Sequence, residues 1–469
     1  MITAQDVAPD MVRGMTMSAA LPGVAPRAPV SILKERLLLC VLFVTVLTSS
    51  VAFIEPSPHD LLMAVLAATC VVAGVRFPRM LILPLFLLVI WNFAGMMALM
   101  PVAGQEKTIQ YTGTSIYLAI AAIVFACLFA QNSMARLSTM RIAYTLSAIM
   151  VSFAGISGYF ALFPGAEQLF APFGRALGSF KDPNVFGPFL IWPTMFVVYR
   201  MLTRRVRLVD LAVSGILLFA LLLSFSRGAW FHFAVSSVVL VALAFVTAPS
   251  QNTRLRIVAL SALSLFALAA LLTILLSFGS IGDMFRERAQ LIQSYDVGEG
   301  GRFRLQELAL SSVLSFPNGM GPLEFARVHG LQQHNVYLQA FLVYGWAGAM
   351  AYLLLLLSTL WVGLRTAFAR APWQRYAITA LAAFVGEVAE GFVIDSDHWR
   401  HFFLLLGMIW TFAGGGKLFA YQSGVLIVGY SYGFFEPRDL IRIGAWLTVI
   451  EFVILLLLVP FYWPLIGIR

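Results

Sequence analysis

The chain has 469 residues, of which 60% are hydrophobic and only 11% are charged. A soluble domain of this size could not bury so much apolar surface, so the composition excludes a soluble globular protein. The net charge of +9 would favour nucleic-acid binding in a soluble protein. Here we attribute it to membrane topology, and we expect the lipid bilayer and no nucleic acid as a partner.

Apolar runs of about 20 residues recur along the sequence, which predicts an all-α protein that crosses a membrane many times. Residues 1–35 are rich in proline and alanine and lack the apolar core of a signal peptide, so we predict a disordered tail. We expect about 12 to 14 spans in all, and the last one or two of them would lie after Lys417. The spans predicted before Lys417 cover residues 36–54, 60–75, 80–100, 115–131, 142–163, 185–199, 208–223, 229–248, 255–278, 335–364, 376–394 and 401–412.

Lysine and arginine alternate between the two sides of the predicted membrane. One side collects clusters such as Arg204 with Arg205. The positive-inside rule places that side, with the N-terminus, in the cytoplasm. The short loops of the other side carry few basic residues, namely Lys107, Arg175, Lys181, Arg227 and Arg400.

Two segments on the outer side are candidates for function. Residues 164–184 form a short segment, and residues 279–334 form a loop of a length that usually has a function. Within the long loop, residues 301–316 place Phe303, Leu310 and Leu314 at a spacing that predicts an amphipathic helix at the membrane surface. We therefore expect the functional face to be the outer one.

Arginines on this side are the first candidates for chemistry. Arg227 lies in SFSRGAW among small residues that would let an anionic group approach, although a snorkelling arginine is the alternative interpretation. Arg302 and Arg304 are two residues apart on the predicted helix, so at most one should face a site. Guanidinium groups converging from separate segments would suit a pyrophosphate.

His334 is the last residue of the long loop and precedes a span. It could accept a proton near neutral pH, or it could cap the next helix, and its position alone favours neither. The segment DSDHWRH contains Asp395, Asp397, His398 and His401, which are metal-ligand types. The segment is short and has no carboxylate partner elsewhere, so we expect a polar loop with no metal ion and no other cofactor.

Five segments, taken in order, resemble the O-antigen ligase and polysaccharide polymerase family of bacterial inner-membrane proteins. The resemblance spans residues 36–413, which we treat as one polytopic domain. Gln306 departs from the family pattern, and so do Val343 and Tyr344, where a glutamate is expected. The matching segments are GSFKDPNVFG (178–187), SFSRGAW (224–230), GGRFRLQELAL (300–310), FPNGMGPLEF (316–325) and HNVYLQAFLVYGWAG (334–348).

The resemblance implies metal-independent glycosyl transfer at the periplasmic face of the inner membrane. The donor would be a glycan on undecaprenyl pyrophosphate, and the acceptor a hydroxyl of lipid A–core, of a second glycan or of a protein side chain. Carried over by motif, Arg227 and Arg302 would bind the donor pyrophosphate and His334 would activate the acceptor hydroxyl. Other polysaccharide-assembly proteins would be partners, and one chain does not separate ligase from polymerase. Further substrate contacts are expected from Arg304, Asn335, Tyr337, Asn184 and Lys181.

Residues 414–469 resemble a different family. Residues 421–467 are similar to the last segment of sodium–dicarboxylate or sulfate symporters, but the sodium-binding motifs of those proteins are missing from the chain. We therefore expect an appended helical membrane segment. The alternative function is a secondary transporter of anions or dicarboxylates, which would need ionisable residues at mid-membrane, and Glu387, Glu390 and Glu451 are the candidates.

Overall fold

A computed structural model describes residues 29–277, 279–289 and 301–413 of the chain. Every regular element in these ranges is a helix, which confirms the predicted all-α class. The α-helices are α1 (Pro29–Leu47), α2 (Pro58–Ala73), α3 (Ile82–Leu99), α4 (Glu106–Phe129), α5 (Ser133–Tyr159), α6 (Ala166–Phe170), α7 (Pro183–Phe189), α8 (Ile191–Thr203), α9 (Leu208–Leu223), α10 (Arg227–Thr247), α11 (Gln251–Ser277), α12 (Gly279–Ala289), α13 (Arg302–Ser315), α14 (Glu324–His329), α15 (Val336–Ala367), α16 (Gln374–Glu390) and α17 (Arg400–Phe412).

Seven helices in the described part of the chain are long and apolar enough to cross a membrane, so the protein is a polytopic α-helical membrane protein. Three shorter apolar helices, α2, α9 and α17, accompany them. Each predicted span before Lys417 overlaps a helix, but the total of 12 to 14 spans stays a prediction. The seven helices cover Arg79–Val102, Glu106–Phe129, Ser133–Tyr159, Pro183–Thr203, Arg227–Thr247, Gln251–Ile274 and Val336–Ala367.

The predicted domain boundaries can be compared with the structure at the N-terminal end but not at the C-terminal end. Helix α1 begins at Pro29, inside the tail predicted for residues 1–35, because proline is tolerated in a first helical turn and good helix formers follow it. The predicted segment 414–469, with Glu451, lies outside the described residues, as does the rest of the predicted tail.

Small residues bring the central helices together. Gly386 of α16 lies so close to α10 that an added Cβ would stand 2.3 Å from the ring of His232. At Gly407 of α17, an added Cβ would stand 2.5 Å from the Ala122 carbonyl oxygen of α4. Such close approach is how membrane helices gain packing energy without a hydrophobic driving force between them.

Helix α15 is interrupted at Gly345, which has φ 65° and ψ −176°. The break removes the helical hydrogen bond between Leu342 and Trp346. The turn at residues 317–321 replaces it, because the Met320 N–H donates to the Leu342 carbonyl (2.7 Å) and the Trp346 N–H donates to the Pro317 carbonyl (2.8 Å). The P-N-G-M-G and Y-G-W-A-G motifs thus form one joint that fixes the loop before α15 to the membrane helices.

The predicted amphipathic helix is present as α13. Leu305, Ala309 and Val313 are buried on its inner face, which packs against α15. Phe303, Leu310 and Leu314 are exposed, as expected for residues at a membrane surface. The predicted long loop is therefore more structured than expected, since α12, α13 and α14 all lie within it.

Candidate functional site

The S-F-S-R-G segment forms the break between α9 and α10. Phe225 has a positive φ of 47°, which turns the chain sharply after α9. The Ser226 hydroxyl accepts a hydrogen bond from the Ala229 N–H (3.3 Å) and caps α10. Arg227 is consequently the first residue of a 21-residue helix, where backbone N–H groups and the helix dipole favour a negative charge.

Arg175 approaches this break from the segment between α6 and α7. Its Nε donates to the Ser224 carbonyl (2.9 Å), and its Nη2 donates to Asn184 Oδ1 (3.1 Å). Asn184 is itself held at the start of α7, where its N–H donates to Asp182 Oδ1 (2.8 Å). These contacts set the position of the Arg175 guanidinium.

Three arginines meet at one cavity of about 160 Å³, which we call the arginine pocket. Arg175, Arg227 and Arg302 reach it from three separate segments, and none of the described residues that line it is acidic. Arg302 is the first residue of α13, so the pocket has the N-termini of two helices, α10 and α13, on its wall. The lining residues are Arg175, Asn184, Phe225, Ser226, Arg227, Gly228, Arg302, Val393 and Ile394.

His334 is paired with Asp395. Its Nδ1 lies 3.6 Å from Asp395 Oδ2, and its side chain is 42% exposed, so the ring is accessible. Asp395 Oδ1 accepts a hydrogen bond from the Asn335 N–H (2.9 Å). Burial raises the pKa of the Asp395 carboxyl, although the neighbouring His334 opposes the rise. A carboxylate beside Nδ1 would hold the ring so that Nε2 can accept a proton.

The loop that follows α16 connects this pair to the arginine pocket. Ile394, next to Asp395, lines the pocket and its carbonyl accepts a hydrogen bond from the Val336 N–H (3.2 Å). Asn335 caps α15, since its Oδ1 accepts from the N–H groups of residues 337 and 338. The predicted contact of Asn335 with substrate stays a prediction. His334 is held at the edge of the pocket without lining it.

Three other predicted substrate contacts lie outside the pocket lining. Arg304 is exposed and pairs with Glu307 (2.7 Å). Lys181 is exposed and pairs with Glu55 (2.7 Å). The Tyr337 hydroxyl donates to a backbone carbonyl of α16. Their roles stay predictions, and the expectation that Arg302 and Arg304 point in different directions is confirmed.

The ionisable residues of DSDHWRH turn to different partners. Asp397 accepts a hydrogen bond from the Tyr111 hydroxyl (2.6 Å) and lies 3.3 Å from His398, whereas His401 faces Glu387 at 3.4 Å. Burial alone would raise the pKa of Asp397, but His398 and the hydroxyl donors hold it below its usual value, and Asp397 in turn raises the pKa of His398. In the described ranges, no group of three or more histidine, cysteine, aspartate or glutamate side chains lies close enough together to hold a metal ion.

Two residues of the site did not stand out in the sequence. Arg175 had the same signal as Arg227, a basic residue on the side with few of them, but it has no flanking serines to mark it. Asp395 was grouped with its neighbours as a weak metal motif, because its partner His334 belongs to a distant segment.

No protein-family model matches the chain, and no curated protein matches it. The family resemblance therefore depends on the five ordered motifs. The structure joins three of these, because residues of the first, second and third motifs line the arginine pocket together. What the resemblance implies about activity is a proposal.

Proposed function

We propose that this chain is a metal-independent membrane glycosyltransferase of the bacterial inner membrane. It would take a glycan from an undecaprenyl-pyrophosphate donor and join it to an acceptor hydroxyl at the periplasmic face, as an O-antigen ligase or a surface-polysaccharide polymerase. The observation that supports this proposal is the pocket in which Arg175, Arg227 and Arg302 converge beside the His334–Asp395 pair.

The arginine pocket has the chemistry of a pyrophosphate site. Guanidinium groups donate paired hydrogen bonds to phosphate oxygens and keep their charge at any relevant pH. The N-termini of α10 and α13 add backbone dipoles that favour the same charge. A polyprenyl carrier lies in the bilayer with its pyrophosphate at the surface. The exposed apolar residues of α13 would place Arg302 at that depth.

The proposed reaction displaces the pyrophosphate from the anomeric carbon of the donor sugar. His334 Nε2 takes the proton of the acceptor hydroxyl, and the oxygen forms a bond to the anomeric carbon. The bond from that carbon to the pyrophosphate oxygen breaks, and its electron pair leaves with undecaprenyl pyrophosphate. Asp395 orients the His334 ring and stabilises its positive charge.

The arginines act on the leaving group. Negative charge develops on the pyrophosphate as the bond breaks, and positioned donors that meet this charge lower the barrier. Removing one such donor typically costs about 10²- to 10³-fold in rate, and a general base contributes about 10²- to 10⁴-fold. The two groups together can therefore account for a large rate enhancement without a metal ion.

A second candidate is a secondary transporter of anions. It is favoured by two buried pairs inside the helical bundle, His232 with Glu390 and His401 with Glu387. Ionisable residues in such positions often mark a transport pathway. We prefer the transferase because transport would not require an accessible histidine–aspartate pair beside the arginine pocket.

The test is a strain in which the gene is deleted, with lipopolysaccharide and exopolysaccharide compared side by side. Loss of long chains from lipid A–core supports a ligase, and loss of the polymer itself supports a polymerase. Unchanged glycans together with lost dicarboxylate uptake would overturn the proposal in favour of the transporter. Complementation with His334→Ala or Arg302→Ala should fail although each variant accumulates in the membrane.

A further inference from the structure

A series of hydrogen-bonded polar side chains leads from Asp395 into the helical bundle. Gln333 precedes His334 in the sequence and is fully buried. Its Nε2 donates to Asp395 Oδ1 (3.4 Å) and to Oε1 of Gln339, a buried residue of α15. Gln339 Nε2 donates in turn to the Tyr111 hydroxyl of α4 (3.0 Å). We call Gln333, Gln339 and Tyr111 the polar network.

The inner end of the polar network is anchored by Asp397. The Tyr111 hydroxyl lies 2.6 Å from Asp397 Oδ2. Burial alone would raise the pKa of Asp397, but His398 and the hydroxyl donors hold it below its usual value. Asp397 is therefore a carboxylate, whose oxygens can only accept hydrogen bonds, and Tyr111 must be the donor.

The ionised Asp397 fixes the orientation of both amides. The Tyr111 hydrogen is committed to Asp397, so the Tyr111 oxygen accepts and Gln339 must turn its NH₂ group toward it. Gln339 Oε1 then faces Gln333, which must also present its NH₂ group. The same NH₂ group reaches Asp395. Gln333 Oε1 has no hydrogen-bond partner among the described residues, so only these two acceptors hold the Gln333 amide.

Opposing influences act on the protonation of Asp395. Burial raises the pKa of its carboxyl, His334 and the Asn335 N–H lower it, and the charge of Asp397 raises it again. Hydrogen bonds donated to a carboxylate favour its charged form. The Gln333 NH₂ group therefore adds to the Asn335 N–H in keeping Asp395 ionised.

The protonation of Asp395 decides which ring nitrogen of His334 carries the hydrogen. A carboxylate can only accept from Nδ1, which leaves Nε2 free to take a proton. A protonated Asp395 would instead donate to Nδ1, and Nε2 of the neutral ring would then carry the hydrogen. That tautomer cannot act as a base toward the acceptor hydroxyl.

We propose that Gln333, Gln339 and Tyr111 are positioning residues that keep Asp395 a hydrogen-bond acceptor and thereby keep His334 Nε2 free to accept a proton. This inference rests on the proposed role of His334 as the base of glycosyl transfer. A network that only held α4 and α15 together would change stability alone. A network that orients Asp395 also changes the pH range in which His334 works.

Tyr111 and Tyr344 provide a matched pair for the test. Both hydroxyls donate to Asp397 Oδ2, at 2.6 Å and 3.2 Å. Tyr111 also accepts from Gln339, whereas the Tyr344 hydroxyl contacts Ser115 (3.2 Å). Tyr111→Phe therefore removes the group that orients Gln339. Tyr344→Phe removes a similar donor to Asp397 that lies outside the polar network.

The variants should differ in the rate of glycan transfer by the full chain in proteoliposomes. We expect Gln333→Leu to lower kcat near neutral pH about tenfold, the size of one hydrogen bond to a charged group, with KM changed less than twofold. Tyr111→Phe removes only the orienting contact and should lower kcat about threefold. Tyr344→Phe should lower kcat less than twofold.

The pH profile of kcat separates positioning from a general loss of structure. Without the Gln333 donor, Asp395 takes up a proton more readily, so the acidic limb of the profile should move to higher pH. The limb should move in Gln333→Leu and in Tyr111→Phe but not in Tyr344→Phe. At alkaline pH Asp395 is ionised in every variant, and the rates should approach that of wild-type protein.

Nitrogen NMR of the full chain in detergent, with labelled histidine, reports the tautomer without any transfer reaction. The His334→Ala spectrum identifies the His334 signals. We expect the neutral His334 ring to carry its hydrogen on Nδ1 in wild-type protein and in Tyr344→Phe. A share of the Nε2–H tautomer should appear in Gln333→Leu and in Tyr111→Phe.

The outcomes separate this inference from the proposed function. If wild-type protein joins glycans and both network variants keep its pH profile and tautomer, the positioning role is overturned and the base stands. Equal shifts in Tyr111→Phe and Tyr344→Phe would also overturn it, even if Gln333→Leu does not fold. If wild-type protein joins no glycan, the proposed function is overturned, and the tautomers alone decide whether the network positions Asp395.

Discussion

His334 and Asp395 lie 3.6 Å apart, Nδ1 to Oδ2, at the edge of the arginine pocket. The residue before Asp395, Ile394, lines that pocket. The loop after α16 therefore contributes to both features, through Ile394 in the pocket lining and through Asp395 beside His334. A change in Asp395 should affect the base without changing the charges that bind the donor.

We expect His334→Ala to lower the rate of glycan joining by about 10²- to 10⁴-fold, because the acceptor hydroxyl loses its base. Asp395→Asn should have a smaller effect, about tenfold to hundredfold, since the imidazole remains but loses its orienting charge. Initial rates with membrane preparations, normalised to the amount of protein in the membrane, measure both. Full activity of His334→Ala would rule out its assignment as the base.

Arg302 and Arg304 provide a matched pair on one helix. Arg302 lines the pocket, whereas Arg304 pairs with Glu307 at the surface. We expect Arg302→Ala to weaken the binding of inorganic pyrophosphate by at least tenfold, because it removes a charge-assisted donor. Arg304→Ala should change the affinity less than twofold, since an exposed ion pair contributes little. Equal affinities of the two variants in calorimetry would contradict the pocket assignment.

The helices and part of the site could be predicted from sequence because the bilayer allows few backbone structures other than the helix. A long apolar run in lipid must satisfy its backbone within a helix, so its position follows from composition. Arg227 was recognised because basic residues are rare in the short outer loops, and Arg302 because it lies in one of the five motifs. Arg175 was not, because its place depends on how residues 164–184 fold back onto the α9–α10 break.

The remaining features of the site depend on contacts between residues that are far apart in the chain. No residue near His334 in the chain indicates that Asp395 is its partner. The two residues meet because the start of α15 lies against the end of α16. The motif glycines were visible in the sequence, but their purpose was not. Gly345 and the turn before α14 exchange hydrogen bonds between segments, and no local pattern encodes this exchange.

The joint at Gly345 should be sensitive to a single methyl group. An added Cβ would stand 2.6 Å from the Asn318 carbonyl carbon, and the φ of 65° disfavours any other residue. We expect Gly345→Ala to lower the apparent free energy of unfolding by about 1–3 kcal/mol. Thermal unfolding in detergent measures the loss.

Gly113 of α4 is the control for this substitution. It is exposed, and an added Cβ meets no atom within 4 Å. Gly113→Ala should therefore raise stability, by up to about 1 kcal/mol, because alanine is the better helix former. If both variants unfold at the same temperature, the hydrogen-bond exchange at the joint does not stabilise the fold.

The His398–Asp397 pair should make stability depend on pH. The raised pKa of His398 means that its contribution is fully present below its unfolded value of about 6.5 and is lost as pH rises through the folded value. The lowered pKa of Asp397 means that its contribution is present above about pH 3.9 and is lost as pH falls through the folded value.

We therefore expect His398→Gln to reduce the unfolding temperature most between about pH 4 and pH 6.5, where both charges are present in each state. The difference from wild-type protein should shrink at alkaline pH. Thermal unfolding of both proteins across this range measures it. A difference that stays constant from acid to alkaline pH would show that the pair has no electrostatic effect on stability.

The most direct test of the proposed reaction is glycan transfer by the purified protein in proteoliposomes. The lipid-linked glycan that accumulates in the deletion strain serves as donor, and a glycolipid extract of that strain supplies the acceptor. We expect one undecaprenyl pyrophosphate to be released for each glycan joined by wild-type protein, and almost no release with Arg302→Ala. Release and joining that persist unchanged in Arg175→Ala, Arg227→Ala and Arg302→Ala alike would contradict the claim that the arginine pocket binds the leaving group.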